Sequence, residues 1–147
     1  MARIIPPVLG LGWIGAQVAI TALAGGRRRF PGQPVLAGAL GLGALALSGA
    51  ALGLFRRAGT TPMPHRPSEA SALVTDGVYR YTRNPMYVSI LIGLLAVSVG
   101  TGRLRTLLAL PGMFWSLQPQ IDAEESALAE LFGDQYATYR ARVPRWL

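Results

Sequence analysis

The chain has 147 residues, enough for one domain; 51% of them are hydrophobic and only 14% are charged. The charged share is well below the ~25% of soluble proteins, which indicates a membrane protein. Cysteine is absent, which excludes disulfides, cysteine nucleophiles and cysteine-ligated metals, and the formal charge of +7 comes from arginine without any lysine.

Two long apolar segments come first in the chain. Residues 4–24 are apolar apart from Gln17 and Thr21, and residues 35–55 carry no charge. Each is long enough to cross a hydrocarbon core of ~30 Å at about 1.5 Å per residue. We therefore predict two transmembrane scaffold helices within residues 1–57. A signal peptide ending near residue 24 is the alternative interpretation of the first segment.

A glycine pair in the second segment predicts close helix packing. Gly49 and Gly53 have the GxxxG spacing that lets two membrane helices approach closely. We expect this contact to form within the chain in preference to a dimer.

A polar and aromatic segment at residues 77–87 precedes the next apolar stretch. It reads Gly-Val-Tyr-Arg-Tyr-Thr-Arg-Asn-Pro-Met-Tyr. Asn84 is a favourable N-cap and Pro85 suits the first helical position, so a helix is predicted to begin here. The arginines and tyrosines would then lie at the membrane surface, either as an interfacial anchor or as part of a site.

Residues 86–99 and 104–117 are shorter than the ~20 residues of a full span, and they predict a helical hairpin that turns at residues 100–103. The fourth helix can continue into residues 121–131, although Pro111 and Pro119 are expected to kink or interrupt it. The prediction is an all-α polytopic membrane protein, a single domain over residues 1–147, with about four transmembrane helices.

The C-terminal part interleaves acidic and apolar residues, which predicts amphipathic helices at the membrane interface. The first is expected to end at Gly133, and the second to be capped by Asp134 and stopped by Pro144.

Two adjacent glutamates in this part indicate a buried charge. Glu124 and Glu125 point about 100° apart on a helix, so they cannot share one environment. An inward carboxylate needs a partner, and Arg83, Arg140 or a bound cationic ligand would serve.

The distribution of arginines predicts the orientation in the membrane. Nine of them would share one side with both termini, against five on the other, which favours termini in the cytoplasm. We expect an integral protein of a prokaryotic inner or plasma membrane. Because the arginines mostly lie beside apolar spans, they are interpreted as orientation signals and contacts to membrane lipids, and no nucleic-acid partner is predicted.

Two separated motifs resemble a known family. Segment 77–87, followed by the double glutamate and by Phe-Gly-Asp-Gln-Tyr-Ala-Thr-Tyr at residues 132–139, resembles the isoprenylcysteine carboxyl methyltransferase and phospholipid methyltransferase superfamily. The similarity covers about residues 61–144. It implies an integral membrane enzyme that transfers a methyl group from S-adenosylmethionine, with S-adenosylhomocysteine as product, to a hydrophobic or lipid-like acceptor at the membrane interface.

The resemblance also implies a cofactor site within residues 58–147, between the segment that enters the hairpin and the double glutamate. By position, its residues would be Tyr79, Arg83, Asn84, Tyr87, Glu124 and Glu125, with Arg83 also a catalytic candidate. Asn84 resembles the phospholipid N-methyltransferases, since many carboxyl methyltransferases have histidine there, whereas residues 132–139 resemble the carboxyl methyltransferases. A prenylcysteine carboxylate, a lipid amine and a small amphipathic molecule therefore all stay open as acceptors.

His65 is the one histidine and lies in a proline-rich loop. Its near-neutral pKa suits a base for an amine, thiol or phenol acceptor, and an ordinary surface role is the alternative. No metal is predicted. The alternative function is a small non-enzymatic membrane protein that assembles through helix packing and binds anionic lipid.

Overall fold

The computed structural model describes residues 6–23, 26–60 and 71–147, with side chains from residue 12 onward. Four α-helices form: α1 (Pro6–Leu23), α2 (Gln33–Arg57), α3 (Pro85–Thr101) and α4 (Ala109–Arg142). Short 3-10 helices cover Gly77–Arg80 and Leu104–Leu108. Because these described residues contain helices and turns and no strand, the all-α prediction is confirmed.

The second and third helices agree with their predicted bounds. α2 extends the predicted segment 35–55 at both ends. α3 begins at Pro85, where the ring fixes a helical φ and the missing N–H costs nothing in the first turn.

The fourth helix differs from the prediction at its start and in its interior. Residues Leu104–Leu108 form a 3-10 helix, so α4 begins only at Ala109. Pro111 falls in the first turn, where backbone N–H groups have no partner within the helix, and Pro119 is accommodated inside it. Neither proline interrupts the helix. The predicted break at Gly133 is present, with φ 46° and ψ −122°.

One helix in the described ranges, α2, is long and apolar enough to cross a membrane, judged by length and composition. Gly12–Leu23 and α3 are apolar but shorter. The predicted four spans are therefore not confirmed and stay a prediction.

The glycine pair Gly49 and Gly53 does not provide the predicted close packing. A Cβ atom built at either position meets nothing within 4 Å among the described residues. The close approach occurs instead at Gly112 of α4, where a Cβ would lie 2.0 Å from the ring of Trp13 on α1.

The chain separates into two compact units. The first comprises Met1–Leu45 and Ser89–Gln118, and the second comprises Ala46–Val88 and Pro119–Leu147. The boundaries fall within α2, within α3 and in the first third of α4.

Side-chain hydrogen bonds join the helices of the first unit. Gln17 is buried in α1 and donates to the Leu94 carbonyl at 2.8 Å and to the Ser98 hydroxyl at 2.9 Å, both on α3. The Trp13 indole N–H donates to Ser116 Oγ on α4 at 2.9 Å. Such polar contacts hold apolar helices in one register.

The two helix connections of the first unit meet at Gly102. The Arg28 amide donates to the Gly102 carbonyl at 2.8 Å, and the Gln33 side chain donates to the Val99 carbonyl at 2.7 Å. Gly102 has φ +65°, and a Cβ there would lie 2.1 Å from the Arg28 carbonyl oxygen. Glycine is therefore required both by conformation and by space.

We expect Gly102→Ala to destabilise the protein more than Gly32→Ala. Gly32 has φ +79° but open space around it, so its substitution carries only the left-handed backbone cost of about 1–2 kcal/mol. The clash at residue 102 should add roughly 1–3 kcal/mol. Thermal unfolding in detergent micelles measures both variants, and equal losses would contradict the predicted steric role.

Candidate functional site

The second unit contains all the described candidate residues. They are Tyr79 in the 3-10 helix Gly77–Arg80, Arg83 and Asn84 in the following turn, Tyr87 in the first turn of α3, and Glu124 and Glu125 in α4. His65 lies outside the described residues.

A buried ion pair joins the segment before α3 to α4. Arg83 Nη1 lies 2.8 Å from Glu125 Oε1, and the two side chains are only 10% and 8% exposed. The same nitrogen donates to the Tyr136 hydroxyl at 3.3 Å. Glu125 is thus the inward-facing member of the double glutamate, with Arg83 as a partner. The Arg83 Nε is also buried, and no acceptor for it occurs within the described part of the chain.

A second arginine, Arg145, binds the same carboxylate. Its Nη2 lies 2.8 Å from Glu125 Oε2 and its Nε donates to Oε1 at 3.1 Å, while Nη1 lies 2.8 Å from Asp122 Oδ1. These hydrogen bonds, first those to Glu125, raise the pKa of Arg145. The inward carboxylate is therefore shared by two guanidinium groups.

Arg145 was missed by the sequence reasoning, which treated it only as an orientation signal. It lies beyond the end of α4 and 20 residues from Glu125, so no helical periodicity relates the two. Arg140, the other arginine considered as a partner for this carboxylate, forms no ion pair with Glu125 in the structure described.

The chain end also binds the segment before α3 through backbone groups. The Arg83 amide donates to the Pro144 carbonyl at 2.9 Å. The Thr82 hydroxyl and the Asn84 side-chain amide both donate to the Arg145 carbonyl at 3.0 Å. We call this set of contacts between residues 82–84 and residues 144–145 the C-terminal clasp. It fixes the backbone on both sides of Arg83.

Glu124 faces a different environment from Glu125. Its Oε1 accepts a hydrogen bond from the Tyr87 hydroxyl at 2.5 Å and another from the Gln120 side chain at 2.7 Å. Tyr87 is buried, so this contact ties the first turn of α3 to α4 beside the Arg83–Glu125 pair.

Tyrosine side chains surround the segment before α3. The Tyr139 hydroxyl donates to the Tyr79 carbonyl at 2.8 Å, and the Tyr79 ring packs edge-to-face on Phe55 at 5.5 Å. Burial raises the pKa of both Tyr79 and Tyr139, so their hydroxyls stay protonated at neutral pH. Tyr136, Tyr139 and Val143 form a buried cluster, against which Leu73, Leu128 and Phe132 pack.

The site presents side chains of both charge signs. The buried Arg83 Nε, which has no acceptor among the described residues, is a donor of the kind that binds a carboxylate. Both Glu125 oxygens already bind guanidinium groups, and Glu124 Oε1 already accepts two hydrogen bonds. Guanidinium, carboxylate and tyrosine groups are of the chemical types that the amino-acid, ribose and sulfonium parts of S-adenosylmethionine require.

The family model for phospholipid methyltransferase matches residues 35–135. That range holds all the described candidate residues but ends before residues 144–145 of the C-terminal clasp.

Curated relatives are similar over about half of the chain. A protein-S-isoprenylcysteine O-methyltransferase of Schizosaccharomyces pombe is 40% identical over 73 residues, which are 49% of this chain and 31% of the relative. Protein-S-isoprenylcysteine O-methyltransferase B of Arabidopsis thaliana is 35% identical over 80 residues, covering 54% and 41%. The protein-S-isoprenylcysteine O-methyltransferase of Mus musculus is 34% identical over 88 residues, which are 54% of this chain and 29% of the relative.

The matched stretch spans less than half the length of each of these relatives. No solved structure matches the chain significantly. Because the family model covers more than half of the chain, the chain belongs to the phospholipid methyltransferase family, within the superfamily that its motifs resemble.

Proposed function

We propose that the protein transfers a methyl group from S-adenosylmethionine to a hydrophobic, lipid-like acceptor at a membrane. The observation that carries this proposal is the buried Arg83–Glu125 pair, whose Arg83 Nε has no acceptor among the described residues. A buried donor without a partner is costly, which favours a ligand that supplies an anionic oxygen.

Each candidate residue has a role in holding this cofactor. Arg83 would bind the carboxylate, and Glu124 and Glu125 would bind the ammonium or the ribose hydroxyls. The faces of Tyr79 and Tyr87 would stabilise the sulfonium by cation–π attraction. Asn84 would keep the segment before α3 attached to the chain end through its bond to the Arg145 carbonyl. When bound, S-adenosylmethionine supplies an activated methyl group and leaves as S-adenosylhomocysteine.

The protein contributes positioning and exclusion of water. Reacting atoms held about 3–3.5 Å apart gain a large effective concentration. The C-terminal clasp covers the backbone around Arg83 and keeps water from its charged side chain, which strengthens the electrostatic contacts there. A carboxylate acceptor needs no base, whereas an amine acceptor must lose a proton, for which His65 stays the candidate.

The names of the relatives favour a prenylcysteine carboxylate as the acceptor, since they are O-methyltransferases of protein S-isoprenylcysteine. An acceptor of this kind enters from a bilayer. We therefore include in the proposal a four-span integral membrane protein with both termini in the cytoplasm, as the arginine distribution favours.

With methyl-labelled S-adenosylmethionine and purified protein in micelles, we expect label to enter a farnesylated cysteine that has a free carboxylate. The matched control is the same compound with its carboxylate blocked as an amide, which should accept no label. Label in phosphatidylethanolamine instead would overturn the proposed acceptor. Absence of both cofactor binding and transfer would favour the non-enzymatic, lipid-binding alternative.

We expect Glu125→Gln and Arg83→Ala each to weaken S-adenosylmethionine binding at least tenfold. Each substitution removes a charge that orients the other side chain, and a hydrogen bond to a charged group contributes about 1.5–3 kcal/mol. Glu130→Gln on the exposed side of the same helix is the control and should bind normally. Calorimetry measures affinity, and circular dichroism checks that the variants are folded. Unchanged affinity in folded Glu125→Gln would contradict the assigned role.

We expect Arg145→Gln to lower both stability and cofactor affinity. The substitution removes the contacts to Glu125 and Asp122, and partial exposure of Arg145 limits the loss of unfolding free energy to about 1–2 kcal/mol. Arg142→Gln, an exposed neighbour at the end of α4, removes the same charge without these contacts. Equal effects of the two substitutions in thermal unfolding and calorimetry would count against a role of the Arg145 side chain in holding Glu125.

A further inference from the structure

The net positive charge is concentrated in the first unit. Its two stretches contain six arginines and no aspartate or glutamate, whereas the second unit contains eight arginines and all seven acidic residues. The second unit can neutralise most of its charge internally. The first unit cannot, so its arginines need counterions from outside the unit.

Five of these arginines lie in the two helix connections that meet at Gly102. Arg27, Arg28 and Arg29 follow α1, and Arg103 and Arg105 follow α3. The backbone bond from Arg28 to Gly102 holds the connections together, and Arg103 donates to the Thr21 carbonyl at the end of α1. These hydrogen bonds therefore hold the positively charged connections close together.

A cavity of about 230 Å³ opens between these connections, lined by Arg27, Gly100, Thr101 and Arg103. The Arg103 Nε is buried and has no acceptor among the described residues. The last carbonyls of α3, those of Val99 and Gly100, are already bonded to the Gln33 side chain. The cavity is therefore lined by two guanidinium side chains, with no carboxylate from its own unit to neutralise them.

We propose that this cavity binds a phosphate group, either the headgroup phosphate of an anionic phospholipid or free phosphate. Guanidinium groups bind phosphate through short charge-assisted hydrogen bonds, and the donor on Arg103 lacks such an acceptor. A cation is disfavoured because no acidic residue lies in the unit. This site belongs to the first unit and does not rest on the proposed methyl transfer.

The experiment uses the full chain, delipidated in an uncharged detergent, with phosphatidylglycerol binding measured by native mass spectrometry. Diacylglycerol with the same acyl chains is the phosphate-free control. We expect phosphatidylglycerol to be retained and diacylglycerol to be lost. Equal retention of the two lipids would overturn the proposal, because acyl chains alone would then explain binding.

Four substitutions that each remove one positive charge test whether the cavity residues bind the lipid or whether overall positive charge attracts it. Arg27→Gln and Arg103→Gln should weaken binding roughly tenfold, since each removes a lining guanidinium. Arg29→Gln and Arg105→Gln remove the same charge outside the cavity and should change affinity by less than about threefold. Equal losses in all four would overturn the site. Arg103 also donates to the Thr21 carbonyl, so Arg103→Gln can unfold the protein. In that case the comparison of Arg27→Gln with Arg29→Gln still tests the site, because Arg27 is exposed.

Inorganic phosphate distinguishes the two sources of the group. Displacement of phosphatidylglycerol by millimolar phosphate, again dependent on Arg27, would support a soluble phosphate ligand. Retention of the lipid under the same conditions would support the headgroup. Because no step of this experiment measures methyl transfer, its failure leaves the proposed function standing, and the failure of that function leaves this site standing.

Discussion

The buried carboxylate of Glu125 is the group on which the second unit depends. A charge at this depth is unfavourable unless it is paired, and Glu125 binds Arg83 on one side and Arg145 on the other. These contacts join the segment before α3, the middle of α4 and the chain end. The clasp adds hydrogen bonds between two of these parts, the segment before α3 and the chain end, so the electrostatic contacts and the clasp act together. Removal of the Glu125 carboxylate would leave the buried Arg83 guanidinium without its counter-charge.

The two units manage charge in opposite ways. The second pairs its inward arginines with carboxylates, and one buried Arg83 nitrogen has no acceptor among the described residues. The first has arginines without carboxylates, and one buried Arg103 nitrogen likewise has no acceptor in the part of the chain that the structure describes. In both cases the free donor lies beside a concentration of guanidinium groups, which is where an anionic oxygen is most stabilised. A zwitterionic ligand suits the unit that also has carboxylates, and a plain anion suits the unit that has none.

Local signals in the sequence predicted the helix bounds well where one residue type decides the backbone. The start of α3 at Pro85 and the break at Gly133 are of this kind. Contacts between distant residues were not predictable in the same way. No pattern relates Arg145 to Glu125, or Gly112 to Trp13, and the GxxxG pair in α2 has no neighbour in the described structure although its spacing is typical of packing. The spacing of residues along a helix indicates which face is able to pack closely, but it does not identify the segment that lies against that face.

Asn84 illustrates the difference between a motif and its role. Its identity resembles the phospholipid N-methyltransferases, whereas many carboxyl methyltransferases have histidine at this position. In the structure, its amide donates to the Arg145 carbonyl and so belongs to the C-terminal clasp. A histidine ring N–H is also a donor and could make a contact of the same kind. Either residue type is compatible with a link to the chain end, so the residue at position 84 is not by itself evidence for an amine acceptor.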